Sequence, residues 1–478
     1  MNIRDVIGRI NFIGNQKAVA KDARRIVTGI SALGRKGPAA LAEQMKGIFA
    51  IEEEMNRELD RWKEPEELAD GDRFDVCDLR IWLKLAEEAG VPFVPGKVIL
   101  SIGEDDLSAL LRPVAVPDVP LNRARDHLAK AFRSDAELEA LLDGPPHMAA
   151  LEAGEDVEQR LHELHEAMSS RLDEIPASWM VRTHVGGASN LKALVGTGLM
   201  LKGDDVAEIA PGVKLGAGWA QVGNRRMIDF ADHRFVSLGA QGHKPVTHYI
   251  ARPWETPARF HEGEDLHRAN SPLAGPGRWP AEWRVFVRNG SVTGVANYYG
   301  WTGEGATPEN AWNALEAAGL GQRIADHAVG RGVVGVFMDQ HFLRQRAETD
   351  PQAAAALEGW DAEGFHATID FIETQDGLKL LEGGPAHAPG GGGHPCAFAG
   401  QGVDRDDVTR WTARCEGVAF LPMAHVHLGE PGTWVDGDPE GRILDWPDVI
   451  ALAAQHGAPT AAGQAFAARF DDGTTLEP

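Results

Sequence analysis

The sequence predicts a mixed α/β (α+β) fold, and three patterns carry that expectation. Residues 364–385 set two apolar, β-branched runs on either side of Gln375-Asp376-Gly377, a hairpin signal. Residues 283–298 do the same around Asn289-Gly290, a two-residue hairpin loop of the strongest kind. Helical repeats alternate with these strands. In residues 155–174, for example, Val157, Leu161, Leu164, Met168 and Leu172 form one amphipathic stripe that reads as core packing.

In chain order, residues 16–63 read as two helices broken at Gly34-Arg-Lys-Gly-Pro38, where Pro38 suits a helix start. The second is rich in Glu, ends at Trp62-Lys63 and offers a face that could pair protomers into a homo-oligomer. Leu79 to Gly90 reads as a helix stopped by Gly90, followed by a strand from Lys97 to Ser101. Residues 121–150 are helical and acidic, with a break at Gly144-Pro-Pro146. Trp179 to Arg182 is a short apolar strand running into Gly186-Gly-Ala-Ser-Asn190, a small turn whose N–H groups could line phosphates; Lys192 follows. His248 to Glu255 is a strand stopped by Arg252-Pro253, and an ordinary edge strand reads the same way.

Along the strand 283–287, Arg284, Phe286 and Arg288 share one face and Trp283, Val285 and Val287 the other. A cation on a mostly apolar strand is costly unless it meets an anion. A snorkelling Arg or a structural ion pair satisfies the same pattern. Thr307-Pro308-Glu309 opens the next helix, with Thr at the N-cap and Pro at the first position. Val333 to Met338 is a buried strand with Asp339 at its end, and residues 344–361 form an exposed helix or insertion. After Gly400 a separate α/β or α+β tail is expected, with Ile443-Leu-Asp-Trp446 and Pro447 opening the last helix. His425 and His427 share a strand face, a candidate metal pair without an evident third ligand.

The 364–385 hairpin carries the chemistry. A three-residue loop closed by a left-handed Gly377 pairs Thr374 with Leu378 and so sets Asp370 opposite Glu382. Directly opposed side chains lie ~5 Å apart on one face. Two carboxylates that close repel unless a cation sits between them, and Mg²⁺ takes oxygen ligands of this kind, usually with substrate phosphates. The alternative is a surface hairpin with solvated acids. A two-residue loop would shift the register and split the pair onto opposite faces.

Composition bounds the rest. The 478 residues suffice for about three domains. A net charge of −24 disfavours nucleic acid as a bulk partner, though not a single nucleotide or tRNA end in a local basic pocket. No run approaches the ~20 apolar residues of a membrane span. The three cysteines, Cys77, Cys396 and Cys415, are odd in number and widely spaced, so neither a disulfide framework nor a CxxC zinc site is indicated. Met1-Asn-Ile-Arg-Asp lacks the order of a secretory signal, and a cytoplasmic protein is expected.

Taken in order, Glu282-Trp-Arg-Val-Phe-Val287, a helix, then Asp370-Phe-Ile372 and Gly377-Leu-Lys-Leu-Leu-Glu382 resemble the second half of an ATP-grasp domain. The likeness is to a phage and bacterial clade typed by one Arg and two Lys near the nucleotide. It covers residues 176–395, about half the chain. It implies two α+β subdomains clamping ATP, with Asp370 and Glu382 on Mg²⁺ and Arg284 on phosphate. Arg182 and Lys192 match the clade's Arg…Lys-x-x-x-Gly spacing. By the same likeness His248, Tyr249, Ile250, Ala251, Arg252 and Trp254 frame adenine, and Lys202, Lys214 and Lys244 compete for the second lysine. The expected layout is a helical region at 1–70, a pre-ATP-grasp region at 71–175, the ATP-grasp domain at 176–400 and the tail at 401–478. The implied activity is carboxylate–amine ligation through an acyl phosphate, on amino acid or peptide substrates. Family members usually carry Asn two residues after the metal-binding Glu, and Gly384 stands there. A water or His387 replaces the Asn, one Mg²⁺ binds well, or the site has decayed into a structural role. Pro389 to Pro395, with four consecutive glycines, is either a lid or a plain surface loop.

Overall fold

The computed structural model describes residues 31–44, 60–102, 179–185, 219–222, 226–229, 246–264, 276–298, 305–336, 363–386, 415–420 and 443–470, with isolated positions such as Trp360 and Phe398. The chain divides into two compact units. The first is Met1–Asp60, Lys97–Leu191 and Met200–Pro253; the second is Arg61–Gly96, Lys192–Leu199 and Trp254–Pro478.

The strands in chain order are β1 (Arg73–Asp75), β2 (Lys97–Ile102), β3 (Trp179–Thr183), β4 (Trp219–Val222), β5 (Arg226–Asp229), β6 (Thr247–Pro253), β7 (Phe260–Glu264) and β8 (Pro276–Pro280). Then come β9 (Glu282–Arg288), β10 (Ser291–Asn297), β11 (Val334–Val336), β12 (Ala367–Thr374), β13 (Gly377–Gly384), β14 (Gly417–Ala419) and β15 (Ile443–Leu444). The helices are α1 (Leu79–Glu88), α2 (Pro308–Arg331), α3 (Trp446–Ala453) and α4 (Ala461–Ala467). The mixed α+β class holds. Among the described residues no helix is long and apolar enough to cross a membrane.

The first unit holds a five-stranded sheet in the order β2-β6-β3-β5-β4, with only β3 and β5 parallel. The second unit is built on a six-stranded sheet in the order β13-β12-β9-β10-β14-β15, parallel only between β10 and β14. The β9–β10 turn forms because Asn289 and Gly290 both accept positive φ, +49° and +74°. Thr307 caps α2, its hydroxyl accepting from the Asn310 amide at 3.1 Å, and Gly332 ends it in the left-handed region.

Helices α1 and α2 cover one face of this sheet. Trp82 of α1 lies against Gly383 of β13 so closely that a Cβ there would overlap the indole. Gly321 of α2 lies close over Val285, where a Cβ would come 2.9 Å from Cγ1. Helices α3 and α4 pack along α2, where Gly319 allows the Ala462 carbonyl to touch its backbone. Buried Glu316 of α2 accepts from the amide (2.6 Å) and hydroxyl of Thr460, the residue that caps α4.

Several expected boundaries move. The tail is not separate: β14 and β15 extend the central sheet, and α3 and α4 complete its helical layer. Residues 176–400 are shared between the two units, and β1 and α1 belong to the second. The segment 334–336 pairs with β1 instead of joining the main sheet, and Trp62 bridges Arg73 instead of ending a helix. Residues 121–129, 131–150 and most of 155–174, together with Asp339, His387, the glycine run 390–393, His425 and His427, lie outside the described residues.

One helix start makes a pH prediction. Asp78 caps α1 through the Arg80 amide (2.9 Å) and is chelated by the Arg80 guanidinium at 3.0 and 2.6 Å. Burial raises its pKa from 3.8 to about 6 although Arg80 opposes the rise. A carboxyl with a raised folded pKa stabilises the fold below its unfolded pKa and loses that contribution as pH rises through the folded one. The unfolding free energy of the wild type relative to Asp78→Asn is therefore expected to fall between pH 4 and about 6. Urea titrations across that range read it directly, and a flat difference would refute the assignment.

Candidate functional site

Strands β13, β12 and β9 lie side by side, and one row of charged residues crosses them. Arg284 is opposite Asp370, and Asp370 is opposite Glu382. Neighbouring strands are ~4.8 Å apart, so the three side chains rise from one face as a contiguous group. It is the face turned away from α1 and α2, because Val285 and Gly383, on the alternate positions, meet those helices.

The row forms by a different route from the expected one. The hairpin loop has two residues: Thr374 pairs with Gly377, whose φ is +102°, and not with Leu378. Continued unchanged, that register would separate Asp370 from Glu382. Instead the pairing runs Phe371 with Leu380 and then Asp370 with Glu382, leaving Leu381 as an extra, bulged residue. The bulge has a packing cause. Leu380 is held from outside the sheet, donating to the Pro92 carbonyl (2.8 Å) and accepting from the Val94 amide (2.9 Å). Gly383 must face Trp82, since only a hydrogen fits there. Leu380 and Gly383 are three apart and can both face the helices only if one residue between them is extra.

Arg284 and Asp370 make a bidentate pair, with Nε to Oδ1 and Nη2 to Oδ2 both at 2.8 Å. The carboxylate is 4% and the guanidinium 16% exposed, so solvent screens little of their attraction. The guanidinium also stands 4.5 Å over the Tyr298 ring. Burial disfavours its charge, but Asp370 outweighs burial, Tyr298 and Glu382 add to the effect, and the pKa stays well above the ordinary Arg value.

Asp370 and Glu382 are adjacent hard-oxygen donors, which fit Mg²⁺. Arg284 occupies one lone-pair direction on each Asp370 oxygen and leaves the others for a metal. Among the described residues no group of three or more His, Cys, Asp or Glu side chains is arranged to hold a metal. Gly384 pairs with Thr368, and a Cβ there would lie 3.4 Å from its hydroxyl. Position 384 has space for a donor side chain, and glycine supplies none.

The other predicted residues that are described stand on β3 and β6 of the first unit and just after β6. Arg182 is buried on β3 opposite Ile250 of β6, its Nε donating to the Thr183 carbonyl at 3.1 Å. His248, Ile250 and Arg252 share the Arg182 face, whereas Tyr249 and Ala251 take the other. His248 Nδ1 lies 2.8 Å from the Ser101 hydroxyl, and its ring meets His184 edge-on. β6 runs between β2 and β3 and is not an edge strand. Its main chain is therefore engaged on both sides, and free backbone groups for a nucleobase begin only past Pro253, at half-buried Trp254 and Glu255. Lys192, the turn at 186–190, Lys202, Lys214 and Lys244 lie outside the described residues.

Sequence reasoning missed two contributors. Tyr298 stood out only as one of three tyrosines, and its place over Arg284 follows from the bulge at Thr293 between Val292 and Gly294. Lys379 shares the Asp370 face because the two-residue loop pairs it with Ile372; the expected three-residue loop would have put it on the other face. Compared with protein-family models, with curated proteins and with solved structures, the chain finds no match in any of the three.

Proposed function

We propose that this chain is a cytoplasmic, Mg²⁺-dependent carboxylate–amine ligase on an ATP-grasp fold, using ATP to activate an amino acid or peptide carboxylate. The row Arg284–Asp370–Glu382, on the face of the sheet turned away from α1 and α2, is the observation that supports this reading best. Asp370 and Glu382 would hold Mg²⁺, which offsets charge on the β- and γ-phosphates. Arg284 is permanently cationic and presents a planar fork suited to a phosphate. Bidentate pairing to Asp370 aims that fork before ligand arrives.

In the reaction a substrate carboxylate oxygen attacks the γ-phosphorus, and the bond from that phosphorus to the ADP oxygen breaks. An amine then attacks the acyl carbon, loses a proton, and phosphate leaves. The residues' part is alignment and charge neutralisation. Lys192 and Trp254 are proposed to complete the nucleotide site, and two protomers are proposed to pair through the Glu-rich segment 38–63.

Calorimetry with ATP, with and without Mg²⁺, tests the reading on wild type and Glu382→Gln. Mg²⁺-dependent binding that the substitution removes is the expected result. Hydroxylamine should then trap an acyl phosphate as a hydroxamate; a kinase acting on a hydroxyl would give none. A second reading, an ATP-grasp fold kept for a structural or assembly role, draws on Gly384 and on the neutralisation of Asp370 by Arg284. Absence of ATP binding under both conditions would select it.

A further inference from the structure

The same sheet face carries a cation on β13 besides the arginines of β9. Ile372 lies on the Asp370 face of β12, two residues along, and pairs directly with Lys379 of β13. Lys379 and Glu382 are three apart in sequence, which on a regular strand would set them on opposite faces. The bulged Leu381 brings both onto one face. Lys379 therefore stands beside Arg284, Asp370 and Glu382, ~7 Å from the acids along the strand direction.

The ammonium is not committed to packing. It holds Glu255 Oε1 at 2.7 Å and Asp376 Oδ2 at 3.8 Å. Lys379 and Glu255 are 23% and 19% exposed, so both partners reach solvent on the site's side of the sheet. Arg284, by contrast, is pinned to Asp370 by two bonds and can meet a phosphate only with its remaining N–H groups. Mg²⁺ with ATP keeps two negative charges, and Asp370 and Glu382 bring two more. One guanidinium cannot balance them.

We propose that Lys379 binds the polyphosphate of the nucleotide and that Glu255 is the counter-ion it leaves on binding. This rests on the nucleotide-site reading above. Glu255 follows directly after Pro253 and Trp254 in the chain, so the exchange would tie nucleotide binding to the segment leaving β6. The pair thus competes with the ligand for one ammonium, and the two halves of the pair should act with opposite signs. Removing Lys379 weakens polyphosphate binding; removing the charge of Glu255 strengthens it. A merely structural ion pair would give the same sign for both.

The test is calorimetry with Mg²⁺-ATP and with AMP on the wild type, Lys379→Met, Lys379→Arg and Glu255→Gln, each first checked for a cooperative unfolding transition. Lys379→Met should weaken Mg²⁺-ATP binding about tenfold, the loss of one charge-assisted contact, and leave AMP unchanged. Glu255→Gln should tighten Mg²⁺-ATP binding about threefold, and Lys379→Arg should retain most of the affinity. Equal Mg²⁺-ATP affinity in wild type and Lys379→Met, or weaker binding in Glu255→Gln, overturns the assignment of Lys379 alone. A wild type that binds no Mg²⁺-ATP overturns the nucleotide site itself, and Lys379 with it.

Discussion

Replacing Asp370 by Asn is expected to abolish Mg²⁺-dependent nucleotide binding and to lower the free energy of unfolding by about 3 kcal/mol. The two losses have separate causes. The first is removal of the charged oxygen donor that stands in register with Glu382. The second arises because Arg284, 16% exposed, would keep its charge without the bidentate partner that now holds it. Glu382→Gln removes a charged donor and leaves the Arg284–Asp370 pair in place, so it should lose binding at less cost in stability than Asp370→Asn. The double variant Arg284→Met with Asp370→Asn separates the effects: stability should largely return, since an apolar pair often replaces a buried ion pair without loss, while binding stays absent. Urea unfolding and calorimetry on the same samples decide. Retention of wild-type Mg²⁺-ATP affinity by Asp370→Asn would remove Asp370 from the metal assignment.

Two adjacent glycines give the second large effect. Gly383→Ala drives a methyl into the Trp82 indole, whose Nε1 is tied to the Val76 carbonyl at 2.7 Å. Trp82 is fully buried against Phe74 and Phe365, so it cannot step aside cheaply. A loss of about 2–3 kcal/mol is expected, together with disturbance of the bulge that aligns Glu382. Gly384→Ala, one residue on, meets only the Thr368 hydroxyl at 3.4 Å and should change stability by less than about 0.5 kcal/mol. Thermal unfolding of the two variants side by side measures the contrast, and equal behaviour would show that Trp82 does not set the register.

How much of this was legible in the sequence depends on the range of the cause. Asn289-Gly290 was legible because a tight right-twisted turn demands two positive φ values, and few dipeptides supply them. The α2 start was legible for a similar local reason, Thr307 followed by Pro308. The alignment of Arg284, Asp370 and Glu382 was legible from the period of a strand, yet through a loop count that was wrong by one. The bulge that corrects it is set by Trp82 and by the segment 92–94, far upstream, and leaves no mark in residues 364–385. Lys379 was missed through the loop count itself, since the two-residue loop puts it opposite Ile372 and a three-residue loop would not. The tail read as separate because parallel pairing of β10 with β14 joins Gly294 to Gly417 with no local signal. The central place of β6 was hidden likewise, because its neighbours β2 and β3 are far from it in the chain.

The β10–β14 pairing has a consequence for biosynthesis. Strands β9 and β10, and β12 and β13, are two hairpins with short turns, and the two can pair as soon as residue 384 has left the ribosome. The outer edge of β10 then waits, with its amides and carbonyls unpaired and Val292 and Val295 on the apolar side, until residues 417–419 arrive. The groove over α2 stays bare still longer, until residues 446–467 fold onto Gly319 and Glu316. An open strand edge beside bare apolar surface is a template for wrong pairing. During that interval the nascent chain would depend on slow collisions with its neighbours, or on a chaperone, to remain a monomer.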